Sequence, residues 1–220
     1  MKKKFYKDTG MYIDWEQINK LPNVKTLIDI GVGPNGTPDL YKRFIKSKLI
    51  LIDPLDEAKN YAKKLRKSRN VLFYQNALGK VDGGGGVNFN IQKELGNSSL
   101  LKVSKINYKN NIIKKKKLKL QKLDTLLMNK KNLGSIGIKI DVEGFELDVI
   151  KGASKTLKKS KFLIAEVRHN HKSFKKLYKL YEFINLMDKN HFILTKILTA
   201  KPFIADLCFQ PRKDLNFKIN

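Results

Sequence analysis

A chain of 220 residues and 25.4 kDa can bury about 70% of its unfolded surface in one core, so it needs neither disulfides nor a structural metal. Its formal charge is +26, from 46 basic and 20 acidic residues, and 41 of the bases are lysines against 5 arginines. Base recognition favours arginine, and no aromatic residues alternate with the densest run, Lys114–Lys117, as a stacking platform would require. The charge therefore reads as lysine-rich composition on a solvated surface, and nucleic acid is not an expected partner. One cysteine, Cys208, cannot pair within the chain and fits a reducing cytoplasm. Met1-Lys-Lys-Lys-Phe5 precedes no signal-like apolar run, and no stretch approaches the ~18 apolar residues of a membrane span. The expectation is a soluble, cytoplasmic, single domain over 1–220, with an N-terminal arm at 1–25 and an excursion at 80–122.

In chain order, Thr26-Leu-Ile-Asp-Ile-Gly31 is a β-branched run ending in glycine, the mark of a buried strand. Thr37 can cap a following helix, with Pro38 at its first position and Asp39 near the positive dipole end. Lys48–Asp53 reads as a second strand and Asp56–Lys67 as an amphipathic helix presenting Ala58, Tyr61, Ala62 and Leu65. Val71–Gln75 is a third strand. The β-α-β-α-β order predicts half of a doubly wound α/β sheet. Gly83–Gly86 reads as the flexible turn of the excursion, with Val87–Ile91 a strand and Leu118–Leu120 another. A short helix opens at Leu123. Ile136–Asp141 is a strand, Phe145–Lys158 a helix, Phe162–Val167 a strand and Ser173–Asp188 a helix. His191–Leu198 and Ile204–Phe209 then predict an antiparallel hairpin on an otherwise parallel sheet. Trp15, Tyr6 and Tyr12 suit a packed N-terminal arm.

Two segments carry candidate chemistry. Gly31-Val-Gly33-Pro-Asn-Gly36 matches G-x-G-x-x-G after a strand, and Asp53 ends the next strand about 20 residues on. Glycines let backbone approach a nucleotide-like ligand, and the carboxylate accepts hydrogen bonds from ribose hydroxyls. NAD and S-adenosylmethionine both present such a ribose. Gly36 favours the dinucleotide, whereas Pro34 and the late helix start weigh against it. Asp29 could accept hydrogen bonds from a cationic methionine moiety or hold the loop. The second segment is Lys139-Ile-Asp141-Val-Glu143-Gly-Phe-Glu146. Two acids leave the carboxyl edge of a strand, where open α/β sheets bind ligands. Asp141 and Glu143 could orient a hydroxyl, accept its proton or ligate a cation, and Glu146 complements the helix N-terminus.

The run Ile138-Lys-Ile-Asp-Val-Glu-Gly-Phe-Glu-Leu-Asp-Val-Ile-Lys-Gly-Ala153 closely resembles the signature of FkbM-type methyltransferases. Leu27–Gly31, Ile52-Asp53-Pro54, Tyr74–Gly79, Ser98-Ser99-Leu100 and Leu123-Asp124 fall in the matching order, so the likeness covers roughly Thr26 to Val167. It implies a Rossmann-like class I methyltransferase fold of three layers, with a mostly parallel central sheet and the C-terminal antiparallel hairpin. It also implies S-adenosyl-L-methionine as cofactor and O-methylation of a small molecule, sugar or glycan. Carried onto this chain, Asp29, Gly31 and Gly33 line the methionine side, Asp53 the ribose, and Asn76 the adenine edge with Ala77 beside it. Asp141 and Glu143 face the transferred methyl group. Many members have Ala-Asn after the first glycine, where this chain has Val32-Gly33-Pro34.

Methyl transfer from a sulfonium is an in-line displacement, and a hydroxyl nucleophile needs partial deprotonation. Asp141 or Glu143 is the first candidate to orient or deprotonate the acceptor. His169 is a second, because imidazole titrates near neutrality. Glu166 could join Asp141, Glu143 and His169 around a cation, but the spacing specifies no metal and none is expected. His171 and His191 have no evident partners. Two other readings are an NAD-dependent oxidoreductase, from the glycine spacing, and an RNA methyltransferase or nucleic-acid-binding protein, from the charge.

Overall fold

The computed structural model describes residues 4–6, 11–102, 111–168, 174 and 177–215. The strands β1 (Lys4–Tyr6) and β2 (Met11–Ile13) precede a 3-10 turn at Trp15–Lys20. There follow β3 (Thr26–Ile30), α1 (Pro38–Arg43), β4 (Lys48–Ile52), α2 (Asp56–Leu65) and β5 (Val71–Tyr74). The middle of the chain supplies β6 (Ala77–Leu78), β7 (Gly83–Gln92), β8 (Ile112–Gln121) and α3 (Leu123–Leu127). The remainder is β9 (Ile136–Ile140), α4 (Glu146–Lys151), α5 (Ser154–Leu157), β10 (Ser160–Arg168), α6 (Leu180–Lys189), β11 (Phe192–Lys201) and β12 (Ile204–Pro211).

Among the described residues, nine strands form one sheet in the order β1-β2-β11-β12-β10-β9-β3-β4-β5. From β10 to β5 the neighbours run parallel. The C-terminal hairpin closes the sheet as expected, with β12 antiparallel to both β10 and β11. The N-terminal arm goes further than packing, since β2 pairs with β11 through Thr199↔Ile13 and Ala200↔Tyr12. The fold is α/β with a mainly parallel central sheet.

Layering follows from alternation along each strand. Ile28, Ile30, Ile50, Ile52 and Ile138 face one core, packed with Leu123, Val149, Ile150, Leu157 and Phe183 of the helices. Leu27, Leu49, Leu51 and Ile164 face a second core, with Leu40, Tyr41, Ala58 and Ala62 of α1 and α2. Both sheet faces are covered, which is why these strands read as continuous apolar runs rather than alternating ones. The chain leaves β3 toward β4 on one side and β9 toward β10 on the other. The carboxyl ends of β3 and β9 therefore bracket the crevice where the strand order reverses.

Several boundaries differ from expectation. The four glycines do not make the turn of the excursion; they lie inside β7. Gly83 is opposite Leu120 and Val87 opposite Leu118, so three glycines stand where β8 has Lys119 alone. That is a bulge, which needs residues free to take unusual backbone angles. The strand β8 is also longer than Leu118–Leu120, taking in the lysine run. The strand β6 pairs only with Leu120 and Gln121, so the rest of that edge of β8 is open among the described residues. Lysines on an open edge discourage pairing with another chain. The expected helix at 145–158 divides into α4 and α5 around Gly152, where a Cβ would come 2.1 Å from the Gly79 carbonyl oxygen. Of the expected helix at 173–188, residues 173, 175 and 176 lie outside the described residues; among the described ones the helix begins at Leu180, where the Lys179 N–H donates to Glu182 Oε2 at 2.6 Å.

Candidate functional site

The central requirement of the sequence reading was that the glycine end of one strand meet the acidic end of another. The strands β3 and β9 are parallel neighbours in register, with Asp29 beside Lys139 and Ile30 beside Ile140. The next residues, Gly31 and Asp141, are in close contact, and a Cβ on Gly31 would sit 1.7 Å from the Asp141 carbonyl oxygen. Gly31 also has φ +83°, a conformation that side chains resist. Beside this junction is a cavity of about 340 Å³, within the usual size range of small-ligand sites.

Its walls include Gly31–Gly36, Asp53, Asn76, Ala77, Asp141 and Glu143. Of the residues expected at the cofactor, Gly31, Gly33, Asp53, Asn76 and Ala77 thus share one cavity with both candidate catalytic acids. Asp29 does not line it. That carboxylate is fully buried, its Oδ2 accepting from the Tyr41 hydroxyl and from Thr37 Oγ1 at 3.2 Å. Thr37 therefore spends its hydroxyl on Asp29 and makes no side-chain cap for α1. The other oxygen, Oδ1, is buried without a hydrogen-bond partner. Burial raises the Asp29 carboxyl, opposed by the Lys139 ammonium and the Tyr41 hydroxyl. His169 lies outside the described residues, as does His171. His191 sits at the start of β11, away from this cavity.

Asp53 organises the loop as well as the wall. Its Oδ2 accepts from Gly33 N–H at 2.8 Å and its Oδ1 from Leu55 N–H at 2.7 Å. Burial pushes its carboxyl up to about 6, against the pull of those backbone donors. Asn76 Nδ2 donates to Gln121 Oε1 at 3.0 Å. Gly36 supports no phosphate cradle in particular: a Cβ there would strike the rings of Tyr61 and Tyr41 at 2.6 and 2.8 Å, so this glycine makes room for packing.

The acidic side is a network. Lys139 is buried on β9 and donates to Asp141 Oδ2 at 3.0 Å. Burial works against its charge, and Asp141, Asp29 and Asp206 more than reverse that, holding the ammonium above its ordinary value. Asp141 keeps 28% of its side chain exposed, whereas Glu143 keeps 7%. Glu143 adopts φ +57°, strained for a residue with a side chain and typical of functional turns. Arg168, at the end of β10, donates to Glu143 Oε1 at 2.6 Å and lies 3.1 Å from Glu166 Oε1. Glu143 Oε2 is 2.5 Å from the same nitrogen but outside hydrogen-bond geometry. Burial raises Glu143 well above the usual carboxylate range, opposed by Arg168. It carries Glu166 up to about 8, with Asp141 adding to the rise. Asp141, Glu143 and Glu166 have carboxylate oxygens within 4.8 Å of one another, and Lys139 and Arg168 are the counter-charges set among them.

Glu146 does more than complement a helix dipole. It is completely buried, and its Oε1 accepts from Val142 N–H at 3.1 Å and Gly144 N–H at 2.9 Å. Its Oε2 accepts from the Tyr178 hydroxyl at 2.7 Å. The carboxylate thus ties the acidic turn to the segment leading into α6. The excursion completes the enclosure: Phe89, Leu95, Ser98 and Leu100 line the cavity, and Ser99 Oγ donates to the Glu143 carbonyl at 2.7 Å. Sequence reasoning missed the roles of Tyr41, Phe89, Leu95, Ser99 and Arg168. Only Ser98-Ser99-Leu100 had left a signal, as part of the family likeness.

The arrangement suits one kind of cofactor better than another. The cavity lining includes three acids and no lysine or arginine, in a chain of charge +26. An acidic lining favours a cationic ligand and disfavours a pyrophosphate. Comparison with solved structures gives a SAM-dependent methyltransferase from Aquifex aeolicus, 16% identical, covering 90% of this chain and 89% of that one, TM-score 0.48. An O-methyltransferase family protein from Burkholderia thailandensis is 10% identical and covers 89% of this chain and 54% of that one, TM-score 0.49. A precorrin-6y C5,15-methyltransferase from Geobacter metallireducens GS-15 is 8% identical and covers 89% and 84%, TM-score 0.47. No curated protein sequence matches the chain. Among the described residues no helix is long and apolar enough to cross a membrane. The family described as Methyltransferase FkbM domain matches residues 29–199, from the buried aspartate of β3 to Thr199 within the hairpin's first strand, and the chain belongs to that family of methyltransferases.

Proposed function

We propose that this chain transfers a methyl group from S-adenosyl-L-methionine to a hydroxyl of a small molecule or sugar. The observation that carries the reading is the acid-lined cavity, free of lysine and arginine in its lining, at the junction of β3 and β9. The cofactor supplies a methyl group on a cationic sulfur. Asp53 would offer its remaining lone pairs to the ribose hydroxyls, and the glycine loop would hold the methionine side. Asn76 and Ala77 would hold the adenine, with Phe89 and Leu95 of the cavity wall keeping water from it. Asp29 acts from below the loop, through Tyr41 and Thr37.

Asp141 is the group that receives the acceptor's proton. Its carboxylate is the more open of the two acids, and Lys139 fixes its direction. With the cofactor bound, its sulfonium would supply the methyl group, and Asp141 would take up the proton that the acceptor hydroxyl gives up. Glu143 shapes the turn, with its side chain taken up by Arg168 and its carbonyl by Ser99. Calorimetric titration with S-adenosylhomocysteine and with NAD tests the cofactor: the homocysteine product binds and NAD does not. Tight NAD binding without the other would overturn the assignment. Radiolabelled methyl transfer into small-molecule and glycan fractions then tests the acceptor, with product stable to mild base as an ether is. Asp141→Ala loses turnover and keeps cofactor affinity; Asp53→Ala loses affinity.

A further inference from the structure

The strand β9 has a second recess at its other end. Ile136, its first residue, lines a cavity of about 490 Å³ together with Lys80, Lys122, Lys130, Lys151, Lys155 and Lys159. Asp141, just past the last residue of the strand, lines the acidic cavity. Five residues of extended chain separate the two by roughly 16 Å. The lining of the cavity at one end of the strand therefore has three acids and no lysine or arginine, and that of the recess at the other end has six lysines and one acid.

A lysine-rich composition does not by itself produce that contrast, because the same composition leaves the cofactor cavity with none. The local acids, Asp82, Asp124 and Asp148, offset only part of the charge of the six lysines; Asp82 accepts from the Lys122 N–H and the Thr125 hydroxyl, each at 2.8 Å. Asp124 is the acid among the lining residues, and its two oxygens accept from the backbone N–H of Lys155 and Thr156 and from the hydroxyls of Ser154 and Thr156. Its hydrogen-bonding capacity is taken up by neutral donors rather than by lysine ammonium groups, and its single charge stands against six. Asp148 lies 3.8 Å from Lys80 and 3.9 Å from Lys151. Lys122, Lys130, Lys155 and Lys159 make no ion pair among the described residues. Ammonium groups gathered around a concavity focus positive potential into it. Lysine presents compact point charges with three donors each, which suits phosphate oxygens.

We propose that this recess, walled by α3, the junction of α4 and α5, and the start of β9 and β10, binds an oligophosphate group. It does so independently of the cofactor cavity. The test is calorimetric titration with inorganic pyrophosphate at low salt. The wild-type chain binds saturably, with affinity that falls by at least about tenfold at roughly tenfold higher salt as exposed charges are screened. The variant Lys122→Gln/Lys155→Gln/Lys159→Gln loses at least about tenfold in affinity while still binding S-adenosylhomocysteine. The variant Lys114→Gln/Lys115→Gln/Lys117→Gln removes the same charge from β8 and leaves pyrophosphate binding unchanged. Equal weakening in both variants would make the effect one of net charge and overturn the site, as would no saturable binding in the wild type. Phosphatidylcholine vesicles containing a polyprenyl diphosphate distinguish the source. Pelleting that is lost in the first triple variant assigns the phosphate to a lipid headgroup, and pyrophosphate binding without pelleting assigns it to a soluble ligand; either outcome supports the recess.

Discussion

Gly31→Ala is the sharpest perturbation of the junction between β3 and β9. The new Cβ would lie 1.7 Å from the Asp141 carbonyl oxygen and 3.1 Å from a Val142 methyl. A carbon–oxygen contact settles near 3.3 Å, so the two strand ends must part by roughly 1.6 Å. Alanine at φ +83° adds about 1–2 kcal/mol of backbone strain. Overpacking costs about 1–3 kcal/mol more. Together these effects amount to about 3 kcal/mol, or roughly 100-fold in cofactor affinity if the loop takes the whole displacement. The comparison is Gly33→Ala, where a Cβ would find only the Gly96 Cα at 4.0 Å and the backbone, at φ +58°, supplies strain alone. That variant loses about fivefold, near 1 kcal/mol. The assay is calorimetric titration of both variants with S-adenosylhomocysteine, beside urea unfolding to confirm that each is folded. If Gly31→Ala binds within threefold of wild type and unfolds at the same midpoint, the close approach does not position the cofactor loop.

The Asp53 carboxyl, at about 6 in the folded chain against 3.8 ordinarily, gives a pH signature with two opposite signs. The folded state takes up the proton more readily than the unfolded one, so this group's contribution to stability rises as pH falls from about 6 toward 4, while S-adenosylhomocysteine affinity drops about tenfold from pH 7 to pH 5; a flat binding profile would remove Asp53 from the ribose site. Tyr178→Phe deletes the donor to buried Glu146 and lowers unfolding stability by about 1–2 kcal/mol in urea titration. Arg168→Met strips the counter-charge from Glu143 and Glu166, costing about 3 kcal/mol at alkaline pH. Burial carries Glu166 to about 8 even with Arg168 beside it and raises Glu143 as well; losing the cation moves both carboxyls higher still, so the deficit against wild type grows as pH rises above about 8 and levels off below it; a deficit independent of pH above 8 would mean that packing, not charge, is Arg168's contribution.

The parallel half of the fold was legible because its strands are buried on both faces. Thr26–Ile30, Lys48–Ile52 and Ile136–Ile140 are short, apolar and bounded by glycine, aspartate or proline, and nothing else in the chain competes for that pattern. The C-terminal hairpin was legible from two consecutive β-prone runs separated by Ala200-Lys-Pro202, although β11, unlike the parallel strands, leaves Leu194 and Ile197 exposed. What escaped was set by contacts distant in sequence. Nothing local in Gly152 says that the Gly79 carbonyl will press against it and divide a helix. Periodicity carried the last helix through residues 177–179, which among the described residues precede its first turn at Leu180. The glycine tract looked like a turn because glycine serves turns and bulges alike; only pairing with β8 decides between them.

The site divides along the same line. Residues that act through backbone geometry or stand at a strand end, such as Gly31, Asp53 and Asp141, could be placed from spacing alone, because strand ends in an α/β sheet share an edge. Residues that act through a side-chain partner could not. Asp29 belongs to the motif yet faces Tyr41, twelve positions away, and Glu143 belongs to the acidic pair yet turns to Arg168, twenty-five positions away. Burial explains both departures. A carboxylate with little access to water must find a donor or a cation nearby, and once that partner is engaged the group has fewer lone pairs for a substrate. Exposure therefore separates the acids of this motif: Asp141 keeps 28% of its side chain exposed at the cavity, whereas Glu143, in the wall of the same cavity, keeps 7% and is engaged by Arg168, and Glu146 and Asp29 are buried in hydrogen bonds that hold the acidic turn and the start of α1.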